Sequence, residues 1–408
     1  MRYLRTASTQ RLLAVLAGLV VAIGGGTALA LAASGSGPIP KAKTLPVAVH
    51  DALAAAPVQG LSADVTFSDH LIDASSIQGS DPILTGASGR LWVAKNHLRL
   101  ELQSTNGDAQ VVVNGRSFWI SEPASQTVYK GTLPASTGKD KAGSKAPKKA
   151  DTIPTVAHIQ TELTKLMSHA TVSGAIPSDV GGQPAYTVRI GPKHDAGLLG
   201  SAQLAWDAVR GVPLRVAVYA RGNPTPVLEL KASNVSYGAV PASDFTVAPP
   251  AGYKEVKIAA GQAAAKAGAR AKAGKHAHRA AVHGLAAVKA KLPFSLVAPS
   301  TLVGLPRQGT TLLDWGGKPA ALVTYGQGLG GIAVIEQTAK AKVSSPSSSP
   351  SSSGKSGFSL PTVSINGATG TELDTALGTV VRFTRNGVAY TVLGSVPSAA
   401  ADAAARAL

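Results

Sequence analysis

Apolar and polar residues alternate along much of this chain, and changes in the period mark where its elements lie. From Gly60 to about Lys130 the period is two. The clearest run, Leu98-Arg99-Leu100-Glu101-Leu102-Gln103, sets three leucines on one face of a strand and polar groups on the other. Leu91/Val93, Val111/Val113 and Phe118/Ile120 fit flanking strands, and Asn106-Gly107 and Asn114-Gly115 read as two-residue hairpin turns. Ahead of this region, Pro46–Ala56 reads as a short helix opened by Pro46 and stopped by Pro57. Beyond it, Ile159, Leu163, Leu166 and Met167 mark one face of a helix over Thr155–Ala170, with Thr155 as its N-cap. Strand periodicity returns at Tyr186/Val188/Ile190, Leu204/Trp206, Leu214/Val216/Val218 and Leu228/Leu230. Phe245–Tyr253, with two adjacent prolines, closes the unit.

Lys254–Lys291 is rich in Ala, Lys, Gly and His and shows no apolar stripe to bury, so it reads as a linker. A second folded segment starts at Leu292. Its strands are expected over Leu312–Trp315, Ala320–Tyr325, Ile332–Glu336, Val380–Thr384 and Ala389–Leu393, with an Ala-rich helix from about Ser398. Thr137–Ala150 is a lysine-rich loop, and Ser344–Gly357 is a Ser-rich insertion. The expected organisation is a leader over 1–33, a spacer over 34–45, a first domain over 46–256, a basic linker over 257–291 and a smaller domain over 292–408.

Composition supports a turn-rich β protein. The 408 residues are 44% hydrophobic but only 4% aromatic and 15% charged, with 44 glycines and 26 prolines. The net charge of +17 invites a nucleic-acid reading until it is located. Arg2, Arg5 and Arg11 contribute +3, Lys139–Lys149 +4 and Lys254–Lys291 +8, which leaves only +2 for everything that reads as folded. A fold built to grip phosphates distributes its charge otherwise, so no nucleic-acid partner is expected. After its arginines the N-terminus carries an apolar run, Leu12–Ala33, ending in small residues. It reads either as a cleaved export signal or, at 22 residues, as a membrane anchor. In both readings the rest of the chain lies outside the cytoplasmic membrane: anchored to it, or secreted or periplasmic after cleavage.

Candidate chemistry is sparse. The chain has no cysteine, which excludes disulfides, thiolate metal sites and thiol nucleophiles. Gly86-Ala87-Ser88-Gly89 lacks the spacing of a hydrolase nucleophile turn. Gly131…Gly138-Lys139 has six intervening residues where a phosphate-binding loop has four, and Asp140 follows the lysine where Ser or Thr is needed. Gly326-Gln327-Gly328-Leu329-Gly330-Gly331 matches the dinucleotide fingerprint, but it is followed by the β-type run Ile332-Ala333-Val334-Ile335 and so reads as a hairpin turn. His276, His278 and His283 lie in the linker without a nearby carboxylate, and the acidic residues form no pair suited to acid–base work. Neither an enzyme, a metal nor a cofactor is expected. What remains is an apolar sheet face, which helices can seal as ordinary core or which can line an open cavity.

Residues from about Pro46 to Val256 resemble the LolA-like family of lipoprotein carriers and their lipid-binding relatives. The motifs are Leu98-Arg99-Leu100, Val113-Asn114-Gly115, Phe118-Trp119, Pro123 and Gln126-Thr127-Val128. Further along come Gly182-Gln183-Pro184-Ala185-Tyr186, Pro192-Lys193, Leu204-Ala205-Trp206-Asp207, Gly211-Val212-Pro213-Leu214 and Pro241–Gly252. The resemblance implies a β-rich α+β fold: a curved antiparallel half-barrel covered by helices, with an apolar cavity for the acyl chain of a lipid or lipoprotein. Leu91, Val93, Leu98, Leu100, Leu102, Val111, Val113, Phe118 and Ile120 would line it. Ile159, Leu163, Leu166 and Met167 would form a lid, with Lys95 near the place of a locking arginine. The C-terminal segment resembles the smaller α+β domain of RseB/MucB regulators through Tyr325, Gly328-Leu329, Ile332, Val334, Gln337 and Gly394-Ser395-Val396-Pro397. Lipid transport or chaperoning is the function implied first. A lipid-sensing regulator that binds an anti-sigma factor or another membrane protein is the first alternative, and a structural envelope-attachment module is the second.

Overall fold

The computed structural model describes residues 37–72, 86–103, 108–123, 125–133, 154–194, 197–258, 282–315, 318–339 and 360–408. The expected leader over 1–33, the loop over 137–150, Asn106-Gly107, His276, His278 and the Ser-rich insertion lie outside the described residues. Among the described residues no helix is long and apolar enough to cross a membrane.

The fold is β-rich α+β, with a curled antiparallel half-barrel and few helices. In chain order the first part contains α1 (Leu45–Ala54), β1 (Gly60–Asp69), β2 (Ala87–Ala94), β3 (His97–Gln103), β4 (Ala109–Asn114), β5 (Ser117–Glu122) and β6 (Thr127–Thr132). Then follow α2 (Val156–Leu166), β7 (Ala170–Val172), β8 (Ile176–Val180), β9 (Gln183–Pro192), β10 (Leu199–Asp207), β11 (Pro213–Ala220) and β12 (Pro226–Tyr237). A 3-10 turn at Ala242–Phe245 leads into β13 (Lys254–Ile258). These strands form one sheet in the order β13-β6-β5-β4-β3-β2-β1-β12-β11-β10-β9-β7, with β8 also on β9. The register between β1 and β12 shifts at Ser62/Asp64, where Asn234 takes a left-handed backbone conformation. Such an irregularity bends a strand and adds local twist, which favours curling.

The chain divides into two compact units, and neither is one continuous stretch. One draws on Met1–Ala56, Lys149–His194 and Ser201–Val216, the other on Pro57–Lys148, Asp195–Gly200 and Ala217–Leu408. In the first unit, Leu45 and Ala48 of α1 share a core with Val172, Ala175, Tyr186, Val188 and Trp206, and Val49, Leu163 and Ile190 pack around it. Proline near the start of α1 suits a position whose N–H has no intrahelical partner. Thr155 caps α2 as its sequence implies: its hydroxyl oxygen accepts the His158 N–H at 3.3 Å.

The second unit holds β1–β6, β12 and β13, and also an eight-stranded sheet. That sheet comprises β14 (Thr301–Leu302), β15 (Leu305–Trp315), β16 (Lys318–Tyr325), β17 (Ile332–Thr338), β18 (Thr362–Ile365), β19 (Ala368–Thr375), β20 (Gly378–Arg385) and β21 (Val388–Gly394), in the order β14-β15-β16-β17-β21-β20-β19-β18. Its core joins Val323, Tyr325, Ile332, Val334, Val381, Phe383, Tyr390 and Val392 to Val288 of α3 (Leu285–Lys289) and to Ala401, Ala404 and Ala405 of α4 (Ser398–Arg406). Glu336 is enclosed in this sheet. Its Oε2 accepts the Val297 N–H at 3.0 Å, while Oε1 has no partner among the described residues. Arg307 donates to the carbonyls of Ala298 and Pro299, so the side chains of Glu336 and Arg307 both hold the segment 297–299. Gly326–Gly331 joins the antiparallel strands β16 and β17, as the β-type run after it implies.

Three local expectations are corrected. Lys254–Ile258 is a strand and not the start of a linker: it pairs in parallel with β6, an arrangement no local pattern announces. The far end of the expected linker is also structured, since α3 buries Val288 completely, with Val282 and Leu285 against the same core. One turn of helix, with Leu285 and Val288 three residues apart, is too short a stripe to stand out in an Ala- and Lys-rich segment. The turn between β4 and β5 occupies Gly115-Arg116 and not Asn114-Gly115, because Asn114 pairs with Ser117.

Candidate functional site

Residues opposite one another in a sheet point to the same side, so strand register determines which side chains meet. Pairing across β1 to β6 and on to β13 aligns Ala63, Leu91, Leu100, Val111, Ile120, Tyr129 and Val256 in one row. Two residues along, Leu61, Val93, Leu98, Val113, Phe118, Gly131 and Ile258 form a second row. Val65, Gly89, Leu102 and Ala109 form a third on the same side. The nine residues expected to line a cavity therefore share one face of β2–β5, and none of the three rows carries a charge. Leu61, Ala63, Val65 and Ile120 are buried, whereas Leu91, Val93, Leu98, Leu100, Leu102, Val111, Val113 and Phe118 are half-buried.

Phe118 lies across Gly131. A Cβ on Gly131 would stand 2.6 Å from the end of the phenyl ring, so any larger residue there would push the ring off the strand. At the rim, Glu122 Oε2 accepts the Tyr129 hydroxyl at 3.1 Å and the Ser125 hydroxyl at 2.8 Å. The same side of β1 ends in Asp69, whose carboxyl accepts the Leu71 N–H at 2.7 Å and is pushed above the usual carboxylate range by burial.

The opposite face departs from a simple apolar-in, polar-out sheet. Val112, Trp119 and Val128 are buried there beneath Val247 and Tyr253 of the closing segment. Trp119 Nε1 donates to the Val247 carbonyl at 3.2 Å, and Asn114 Nδ2 donates to that of Phe245 at 3.3 Å. Arg99 completes the cover. Its guanidinium lies 4.8 Å from the Trp92 ring centre, donates to Glu101 and donates to the Asp244 carbonyl at 3.1 Å. The chain thus seals this face with its own segment 242–253. Alternation marks Arg99 as polar, but nothing near it in sequence indicates that its partner is 145 residues away.

Against solved structures, the chain is similar to MucB in complex with MucA(peri), at 15% identity and a TM-score of 0.38, over 88% of this chain and 94% of that one. It is similar at 16% identity and a TM-score of 0.37 to the MucA/MucB complex of Pseudomonas aeruginosa, over 88% and 95%. The LolA superfamily protein NE2245 of Nitrosomonas europaea matches at 11% identity and a TM-score of 0.20, over 50% of this chain and 99% of that one. The chain resembles MucB and LolA-superfamily proteins. No protein-family model and no curated protein matches the sequence.

The remaining expected positions separate. Ile159 is buried, and Leu163 and Leu166 are half-buried. Met167 is not on the buried face: it is the C-cap residue of α2, with its N–H bonded to the Leu163 carbonyl and its side chain exposed. Lys95 is exposed in the β2–β3 turn, beside Asn96 in a left-handed conformation. No cluster of histidines and carboxylates suited to a metal occurs among the described residues.

Proposed function

We propose that this chain is a non-enzymatic, exported, membrane-held protein that shelters the acyl chain of a lipid or lipoprotein against the apolar face of β2–β5. One observation carries the reading. Eight aliphatic or aromatic side chains on that face are only half-buried, whereas on the reverse face Val112, Trp119 and Val128 are buried under Val247 and Tyr253 of the closing segment. Leaving eight apolar side chains of one face partly exposed is unfavourable unless something covers them. An alkyl chain suits it, because each methylene removed from water contributes about 0.8 kcal/mol and requires no charged or catalytic group. Tyr129 and Glu122 at the rim could meet a polar headgroup. In this reading 46–256 is the binding domain, and Leu12–Ala33 holds it at the membrane.

The test is cross-linking of the full chain in cells fed a photoactivatable fatty acid, with the attachment sites mapped by peptide mass spectrometry. Adducts on peptides from β2–β5 are expected. Leu100→Asp, which sets a charge in the middle of the face, should lower their yield by about tenfold or more. Because Leu100 is half-buried, circular dichroism should remain that of the parent. Adducts confined to residues 12–33, or equal yields from both chains, would refute the reading.

A further inference from the structure

Several parts of the first unit converge at one end of its sheet. Asp179 pairs with Pro184 and Asp207 with Ala185, so the β8–β9 turn and the β10–β11 turn lie side by side. The N-terminal chain enters at the same place: a Cβ on Gly37 would stand 2.0 Å from Asp179 Oδ2. The last turn of α1 is there as well. Gly211 has a φ of +68°, and a Cβ on it would fall 2.3 Å from the Ala52 carbonyl oxygen, so the β10–β11 turn lies directly on that helix end.

This end presents apolar side chains to water. Val209 is 67% exposed and Leu53 54% exposed. Ile39, 62% exposed, lies between Gly37 and Lys41, whose carbonyl accepts the Tyr186 hydroxyl at 2.6 Å. The display is rigid. The fully buried Asp207 carboxylate accepts the N–H groups of Val209 and Arg210, both at 2.8 Å, and its carbonyl accepts that of Gly211 at 2.9 Å. Turns fixed in this way ordinarily carry polar residues at the tip, and here the tip is valine. Nearby carboxylates are engaged: Asp51 with Lys43 at 2.6 Å, Asp207 with Arg210 at 3.7 Å and Asp179 with the Gly182 N–H at 2.9 Å.

The sequence supplies the partner. The apolar run Leu12–Ala33 ends only four residues before Gly37, and that stretch spans at most about 14 Å when extended. Gly37 is already packed against Asp179, so a bilayer holding the run lies within that reach of Gly37, at the end of the sheet where these residues lie.

We propose that this end of the first unit is a membrane-contact surface, with Ile39, Leu53 and Val209 seated in the headgroup region of the bilayer that holds Leu12–Ala33. Isolated exposed apolar residues are ordinary, but three on segments that converge at one end of the sheet, beside the tether, form an interfacial footing. The proposal rests on the membrane-held reading above and adds the orientation of the domain.

The natural absence of cysteine makes the test clean. Leu53→Cys, Val209→Cys and, as a reference, Leu329→Cys, 51% exposed in the second unit, are each labelled with an environment-sensitive fluorophore. The full chain is then reconstituted in phosphatidylcholine–phosphatidylglycerol vesicles containing spin-labelled lipid. Vesicle flotation checks the anchor, and quenching checks the face. Expected are flotation, blue-shifted emission and at least about twofold stronger quenching at positions 53 and 209 than at 329. Flotation with equal quenching at all three sites, or none, overturns the contact surface and leaves the anchor standing; failure to float overturns both. Without labels, vesicles should slow hydrogen exchange across 207–212. A Leu53→Asp, Val209→Asp chain should still float but lose that protection, and retained protection would count against the proposal.

Discussion

Glu336 offers a test of the second sheet in which the sign and the size both follow from structure. Its carboxyl is fully enclosed, and burial pushes it from the ordinary 4.5 up to about 7, although the Val297 N–H favours the ionised form. Tyr325 and Tyr390, the titratable groups beside it, are themselves raised by burial and stay neutral across this range. Between pH 4.5 and 7 the folded protein therefore retains a proton that the unfolded chain has released. Stability falls as pH rises through this window and levels off above it. About 2.5 pH units at roughly 1.4 kcal/mol each make the loss about 3 kcal/mol. Glu336→Gln keeps an acceptor for the Val297 N–H and removes the ionisation. The assay is urea unfolding of both chains at pH 5, 6, 7 and 8, followed by hydrogen exchange in peptides from β17 and β21. Comparing the two chains at each pH cancels other titrating carboxyls such as Asp69. The variant should gain on the parent progressively from pH 5 to about 7, by roughly 2 kcal/mol, and level off by pH 8. A difference independent of pH would mean that Glu336 is not held in a low-dielectric core, and the account of segment 297–299 would fail with it.

Other perturbations are shorter to state. Arg99→Ala removes the charged donor to the Asp244 carbonyl and the contact on Trp92, and should destabilise the cover over Trp119 by about 1.5–3 kcal/mol, read as faster exchange or proteolysis within 242–253. Arg99→Lys, which lacks the planar fork, should restore only part of that loss. Gly211→Ala places a methyl group 2.3 Å from the Ala52 carbonyl at a left-handed position, so the midpoint of thermal unfolding should drop by an amount equivalent to about 1–3 kcal/mol. Thr155→Ala deletes the cap on α2 and should cost about 1 kcal/mol, detectable as increased exchange in the first turn of that helix.

Much of the secondary structure is legible in the chain because strand alternation and helix capping are local properties. Leu98–Gln103 alternates for the physical reason that a pleated strand sends successive side chains to opposite faces, and Thr155 stands one residue before a helix whose Ile159, Leu163 and Leu166 recur with the helical period. The same alternation places Leu91, Leu100, Val111 and Ile120 on a common face once strand order is known. Strand order itself also follows in part from short turns, since consecutive strands joined by two residues can only be neighbours.

Tertiary structure alone decided the rest. The parallel pairing of β13 with β6, the burial of Val288, and the seal formed by Arg99 and Trp119 with segment 242–253 each join residues far apart in sequence. No local pattern encodes such partners, because a side chain's burial depends on what the rest of the chain brings to it. Glu336 shows both halves of the matter: alternation after Ile332 and Val334 assigns it to their side of the strand. Whether that side is wet or dry, and hence the state of its proton at neutral pH, was settled only by the arrival of Val297 and the sheet around it.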